Sequence, residues 1–242
     1  MTATPDTPDE TLPADSLPLR AQVLLLDMDG TLIDSGPAVE RAWNTLLQEL
    51  GTDLRFGHAQ HGKPARQVLA ELLPELDEVQ LARAHDRVEA LEIADVESIV
   101  TLPGTERLLR ELDAAAQQLG RPTWTIVTSC TMPLFEARWA TTGLPVPAQM
   151  VTADQVARGK PDPEPYLLGA QRLGVDPADS IVIEDSVGGL RSGSDAGART
   201  IALTTTIPAT DLSPLADALV TSLDDLEIRV DGENLVLARR GS

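Results

Sequence analysis

The chain has 242 residues, of which 38 are Asp or Glu and only 19 are Lys or Arg, for a formal net charge of -19. That balance argues against a nucleic-acid binder, which needs a basic face, and no apolar run approaches membrane-spanning length. A chain this long can bury a full core, either as one domain or as a core with a smaller insert. The lone cysteine, Cys130, rules out an intrachain disulfide and fits a reducing cytoplasm.

Residues 1–20 are rich in Pro, Asp and Thr and have neither the basic start nor the apolar middle of a signal peptide, so they read as a disordered tail. Residues 23–26, Val-Leu-Leu-Leu, form a short run that is apolar on both faces, the signature of a buried parallel strand. From Gly36-Pro37 a helical pattern places Val39, Trp43, Leu46, Leu47 and Leu50 on one face, and Gly51 ends it. A polar stretch over 53–64 contains His58 and His61. Helical patterns follow over 65–73 and 79–93, and no strand signal appears between Gly36 and Thr101. Leu102-Pro103-Gly104 then breaks the chain. Residues 36–102 therefore read as a helical insert, leaving 21–35 and 103–242 as the core.

Beyond the insert, strands and helices alternate. Helices are predicted over 106–119, 133–142, 163–173 and 187–196, and strands over 124–128, 150–152, 181–183 and 200–203. This alternation implies an α/β fold, a Rossmann-like parallel sheet with right-handed crossovers. The pattern weakens after Asp211: 215–220 and 224–228 are expected to pack on the core, and 239–242 to fray.

The chemistry lies where strands end. Asp27 and Asp29 follow the first buried strand, at the edge where open α/β sheets bind ligands. Two carboxylates held there repel each other and lose hydration, so a cation or a proton-transfer role is needed to offset them. Asp27 is a candidate nucleophile toward phosphorus, and Asp29 a candidate acid that protonates the leaving oxygen and then activates water. The plainer reading is an acidic corner in which Asp29-Gly30 only makes a turn. Thr128-Ser129 ends a second strand and Glu184-Asp185 a third. Hydroxyls, an amine and four carboxylates on one edge suit a phosphate held with Mg²⁺, for which Asp27, Asp185 and the backbone carbonyl of Asp29 are the expected ligands. The plainer reading of Glu184-Asp185 is helix N-terminal acidity, with Ser186 as the cap.

Only two lysines occur, Lys63 and Lys160, each between Gly and Pro, in a chain that otherwise uses arginine. An exposed loop amine is a compact charge for phosphate where a planar fork does not fit.

Four segments, Asp27-Met28-Asp29-Gly30-Thr31-Leu32-Ile33-Asp34-Ser35, Val127-Thr128-Ser129, Gly159-Lys160-Pro161-Asp162-Pro163 and Ile183-Glu184-Asp185-Ser186, occur in this order. They resemble the four motifs of the haloacid dehalogenase superfamily, and the helical insert is similar to its C1-type cap. A nearer resemblance, carried by His61-Gly62-Lys63, the strand that starts at Trp124, and Thr152 through Gln171, is to bacterial sugar phosphatases and fungal glycerol and 2-deoxyglucose phosphatases. Beta-phosphoglucomutases are more distant.

The resemblance implies a Mg²⁺-dependent phosphomonoesterase with an aspartyl-phosphate on Asp27. Asp29 would be acid then base. Thr128, Ser129, Cys130 and Lys160 would bind the phosphoryl group, and Asp27, Asp29, Asp185 and Glu184 would hold the metal. The cap segment His61, Gly62, Lys63 and Arg66 would reach the leaving group. Cys130 stands where the sugar phosphatases usually have glycine, and its backbone N–H is expected at the phosphate. The low aromatic content argues against a stacked nucleobase. The expected partner is a small sugar or polyol phosphate such as a hexose phosphate, 2-deoxyglucose 6-phosphate or glycerol phosphate, bound by a monomer. A phosphosugar mutase and a noncatalytic phosphosugar-binding protein remain open as alternatives.

Overall fold

The computed structural model describes residues 16–57, 60 and 64–241. The chain opens with β1 (Leu19–Ala21) and β2 (Val23–Leu26). β3 (Ile33–Asp34) then leads into three helices, α1 (Gly36–Glu49), α2 (Ala65–Leu72) and α3 (Glu78–Ala94), and β4 (Val100–Thr101) brings the chain back. The alternating part follows as α4 (Thr105–Leu119), β5 (Trp124–Ile126), α5 (Met132–Trp139), α6 (Glu164–Leu173), β6 (Ser180–Glu184), α7 (Val187–Asp195), β7 (Arg199–Leu203), α8 (Ala209–Leu212) and β8 (Ala218–Val220). A hairpin of β9 (Leu226–Asp231) and β10 (Asn234–Arg239) ends the chain. No helix of the described residues is long and apolar enough to cross a membrane.

Five strands form the expected parallel sheet in the order β5-β2-β6-β7-β8. Every residue of β2, β5 and β6 is buried because both sheet faces are covered. Leu24, Leu26, Ile181 and Ile183 pack with Leu108, Leu109 and Leu112 of α4 and Leu134 and Phe135 of α5. Val23, Leu25 and Val182 point the other way, onto Tyr166 and Ala170 of α6. From β2 the chain crosses to β5 on one side and later returns to β6 on the other. The carboxyl ends of β2 and β6 therefore flank a topological switch point, where such sheets open a crevice. The expected strand at 150–152 reduces to a single parallel bridge, Val127 to Val151.

The insert has its own core. Trp43, Leu46, Leu47, Phe56, Val68, Leu69, Leu73, Ala84 and Val88 are buried together, with Trp43 stacked on Phe56 at a centroid distance of 5.0 Å. Its two connections pair with each other, Ile33 opposite Thr101 and Asp34 opposite Val100 in antiparallel register. β4 departs from the expectation of no strand before Thr101: two residues are too few to show a period of two.

Both ends of the core differ from expectation as well. Leu19 and Arg20, read as part of the tail, lie in β1, which pairs with β10 in an antiparallel sheet β1-β10-β9. Arg239, expected to fray, is the last residue of β10. The hairpin closes through the two-residue loop Gly232-Glu233, with Gly232 at a φ of 63°, which only glycine adopts without strain at this position. Leu235 and Leu237 anchor the small sheet in the core.

Leu69 is fully buried between the cap helices. Leu69→Ala should therefore destabilise the chain by about 2–5 kcal/mol. Urea denaturation checks this: the midpoint should fall, and an unchanged midpoint would mean that the cap has no cooperative core.

Candidate active site

β2 delivers Asp27 to the switch point, held by its backbone N–H donating to Ile183 O at 3.1 Å. The ammonium of Lys160 reaches it from the loop before α6. Lys160 Nζ donates to Asp27 Oδ1 at 2.6 Å, to Glu184 Oε1 at 2.7 Å and to the Val127 carbonyl at 2.9 Å. It also sits 4.9 Å from the centroid of the Tyr166 ring, whose hydroxyl donates to Glu184 Oε1 at 2.9 Å. Lys160 is only 8% exposed, so its charge is compensated within the protein. Burial opposes the charge, but Asp27 and Glu184 outweigh it and hold the amine well above its usual value.

Charges do not balance here. Ligand atoms of Asp27, Glu184 and Asp185 all lie within 4.8 Å of one another and could hold a metal ion. Three carboxylates face one amine. Burial and the Glu184 carboxylate raise Asp27 to about 7 against the pull of Lys160. Burial, Glu184 and Asp27 likewise push Asp185 well above the carboxylate range. A divalent cation is the chemistry that fits this deficit. The three carboxylates are not equally free. Glu184 Oε1 already accepts from Lys160 and Tyr166, and Oε2 from the Asp185 and Ser186 N–H groups and the Ser186 hydroxyl. Glu184 is near enough to share a cation, but its oxygens are engaged.

Two glycines keep this cluster in place. Gly30, at a φ of 81°, passes so close to Asp185 that a Cβ would lie 2.0 Å from Oδ2. At Gly189 in the first turn of α7, a Cβ would lie 1.7 Å from Glu184 Oε1. Ser186 caps that helix, its Oγ accepting from the Gly189 N–H at 3.0 Å, as the plainer reading of this motif expects.

Asp29 sits at the tight turn between β2 and β3, where Gly30 N–H donates to Ile33 O. Its Oδ1 accepts from Ser35 Oγ at 2.6 Å and Arg138 Nη1 at 2.8 Å, and its Oδ2 accepts from the Cys130 thiol at 3.1 Å. Asp27 and Asp29 open onto a cavity of about 850 Å³ between core and cap, large enough for a small organic phosphate.

Residues 21–197 match the haloacid dehalogenase-like hydrolase family, well over half of the chain. The chain belongs to this hydrolase family. It is 40% identical over 211 residues to hexitol phosphatase A of Escherichia coli, covering 87% of this chain and 95% of that one. It is 30% identical over 230 residues to 2-deoxyglucose-6-phosphate phosphatase 1 of Saccharomyces cerevisiae, covering 88% and 93%. The fold is shared with beta-phosphoglucomutase from Clostridium difficile at a TM-score of 0.72 and 20% identity, over 86% of this chain and 93% of that one.

Of the residues singled out in the sequence, this hydrolase brings Asp27, Asp29, Thr128, Ser129, Cys130, Lys160, Glu184 and Asp185 to one cavity wall. Ser129 is exposed to the cavity, whereas Thr128 is buried. The Cys130 N–H, expected at the phosphate, donates to Thr128 Oγ1 at 3.1 Å. Burial and Asp29 push its thiol well above the usual pKa, which disfavours the nucleophilic thiolate. Arg66 lies at the cavity rim, largely exposed and paired with Glu78 at 3.4 Å. His61, Gly62 and Lys63 lie outside the described residues. The aromatic side chains Trp43 and Phe56 do reach the cap wall, but their faces are used on each other.

Sequence reasoning missed Tyr166, Arg138, Glu92 and Glu89. Glu92 and Glu89 project from α3 into the cavity. Arg138 had a legible signal, because helical spacing puts it on the apolar face of α5 with Leu134, Phe135 and Trp139. Glu92 follows Val88 at i+4 on the buried stripe of α3 in the same way.

Gly189→Ala should displace Glu184 and with it Lys160. Losing these buried hydrogen bonds should lower stability by roughly 1–3 kcal/mol. Thermal unfolding measures it, and an unchanged melting temperature would mean that Glu184 moves freely.

Proposed function

We propose that this hydrolase is a phosphomonoesterase that releases phosphate from small sugar or polyol phosphates through an aspartyl-phosphate on Asp27. The observation that carries the reading is Asp27 itself, a strand-end carboxylate held by Lys160, which is in turn anchored on the Val127 carbonyl, with Asp29 on the same cavity wall. Support for the substrate class comes from the relatives, named for hexitol and 2-deoxyglucose 6-phosphate. The buried single cysteine is consistent with the cytoplasm as the working compartment.

In this reading the substrate phosphoryl group sits against Lys160, Ser129 and the Thr128 loop, and Asp27 attacks phosphorus. Asp29 donates its proton to the leaving oxygen, so the alcohol departs neutral. It then takes a proton from water as that water attacks the aspartyl-phosphate, which regenerates Asp27 and frees phosphate. Asp27, Asp185 and the backbone carbonyl of Asp29 would hold Mg²⁺, with Glu184 serving chiefly to fix Lys160. Bound there, Mg²⁺ neutralises charge where a dianionic phosphate meets a carboxylate. Lys160 is confined by three acceptors in a buried slot, so a planar guanidinium does not fit in its place.

A phosphomonoester panel read by inorganic phosphate release tests the reading. Sugar and polyol phosphates should be the best substrates, and Asp27→Asn should lose several orders of magnitude. Equal release by Asp27→Asn would eliminate covalent catalysis there, and nucleotides as best substrates would overturn the substrate class. Chelation should abolish turnover and Mg²⁺ restore it, with Ca²⁺ a poor substitute because of its larger, looser shell. Full activity after thorough chelation contradicts the metal assignment. Lys160→Arg should fold but lose most activity, and wild-type turnover in that variant would reduce Lys160 to a loop residue.

A further inference from the structure

We infer that Arg138 is a positioning residue that orients the Asp29 carboxylate and is itself anchored by Glu92 of the cap, so that acid catalysis depends on the cap being seated. The inference rests on the acid role of Asp29 proposed above.

Arg138 projects from the buried face of α5, the helix that begins just after the Thr128-Ser129-Cys130 loop, and is only 4% exposed. Its guanidinium spans the boundary between core and cap. Nη1 donates to Asp29 Oδ1 at 2.8 Å and lies 3.2 Å from Cys130 Sγ. Nη2 faces Glu92 Oε2 at 3.2 Å. Nε is buried without a hydrogen-bond partner. The group is therefore held at its two ends, by one carboxylate from each domain.

Glu92 is fixed from the cap side, its Oε1 accepting from Trp43 Nε1 at 3.1 Å. One turn earlier on α3, Glu89 accepts a hydrogen bond from the Thr131 hydroxyl in the core. Two carboxylates spaced i and i+3 on the cap helix thus meet the segment that carries the phosphate loop and Arg138. Burial raises Glu92 to about 7 against the pull of Arg138, as expected for a carboxylate placed there by packing.

The consequence concerns direction. A planar guanidinium fixes a carboxylate oxygen well only if its own plane is fixed. With α3 seated, Glu92 sets that plane and Asp29 is held by Ser35, Arg138 and Cys130 from three separate segments. When α3 lifts, Glu92 leaves with it and Asp29 keeps a partner that can swing. The acid is then ordered only in the state that also encloses the leaving group.

The test uses substituted phenyl phosphates, which are alike in shape but differ in leaving-group pKa. The readout is the slope of log kcat/KM against that pKa. An oriented acid makes the slope shallow in the wild type, and Asp29→Asn supplies the steep limit. Arg138→Gln and Glu92→Gln should both steepen it, with the least acidic phenol losing at least about tenfold more than the most acidic. The double variant should lose little beyond Arg138→Gln alone, since both act through one group. A parallel drop across the series, or additive losses, would make Arg138 a structural or binding residue and overturn the inference. If Arg138→Gln does not fold, Arg138→Lys and Glu92→Gln carry the same comparison. Failure here leaves the phosphatase reading standing, because that reading fails separately, on retained activity of Asp27→Asn.

Discussion

One buried amine organises this molecule. Lys160 ties together the ends of three adjacent strands, through Asp27 after β2, Val127 after β5 and Glu184 at the end of β6. Removing the amine would leave Asp27 and Glu184 as buried carboxylates without their counter-charge, which proteins tolerate poorly. The surroundings have been shaped to it accordingly. Tyr166 closes over the ammonium, Gly189 leaves room for Glu184, and Gly30 leaves room for Asp185. A chain with 38 acidic and 19 basic residues cannot attract an anion by its overall field. Nor does the site do so by itself, because the carboxylates around Lys160 outnumber it and leave the cluster short of a divalent cation's charge.

The second constraint is the division of labour between two cores. The cap packs around Trp43, Leu47 and Leu69, separate from the layers on the sheet, and joins the core through the short β3-β4 pair. Asp27 and Lys160 lie wholly in the core, so in the proposed mechanism the groups that meet the phosphoryl group come from the core alone. Asp29 lies at the turn that feeds β3 and touches Arg138, which in turn touches the cap. In the proposed mechanism, the step that depends on the leaving group is thereby tied to the element that would enclose it.

Much of this is legible in the chain itself. The run Val23 to Leu26 is apolar on both faces because helices cover both sides of the sheet, and the polarity jump at Asp27 marks the sheet edge. Helical periodicity gave α1 through α3 because each turns one face into the cap core. The missed parts are short or nonlocal. β4 has two residues and is defined by its partner, not by its own pattern. The β9-β10 hairpin had a local sign in Asp231-Gly232 between alternating residues, which the expectation of a frayed end passed over. Arg138 and Glu92 are distant in sequence, and only the docking of α3 on α5 makes them one group. The segment His61 to Lys63, expected from the sequence to reach the leaving group, lies outside the described residues.

The central claim is that Asp27 becomes covalently phosphorylated. Acid-quenching the enzyme during turnover of a sugar phosphate with Mg²⁺, followed by peptide mass spectrometry, tests it most directly. The account predicts one phosphoryl group on the peptide containing Asp27, located by fragmentation to Asp27 and absent from Asp27→Asn. Turnover at full rate with no phosphorylated peptide trapped, or a phosphoryl group located on a different side chain, would contradict it.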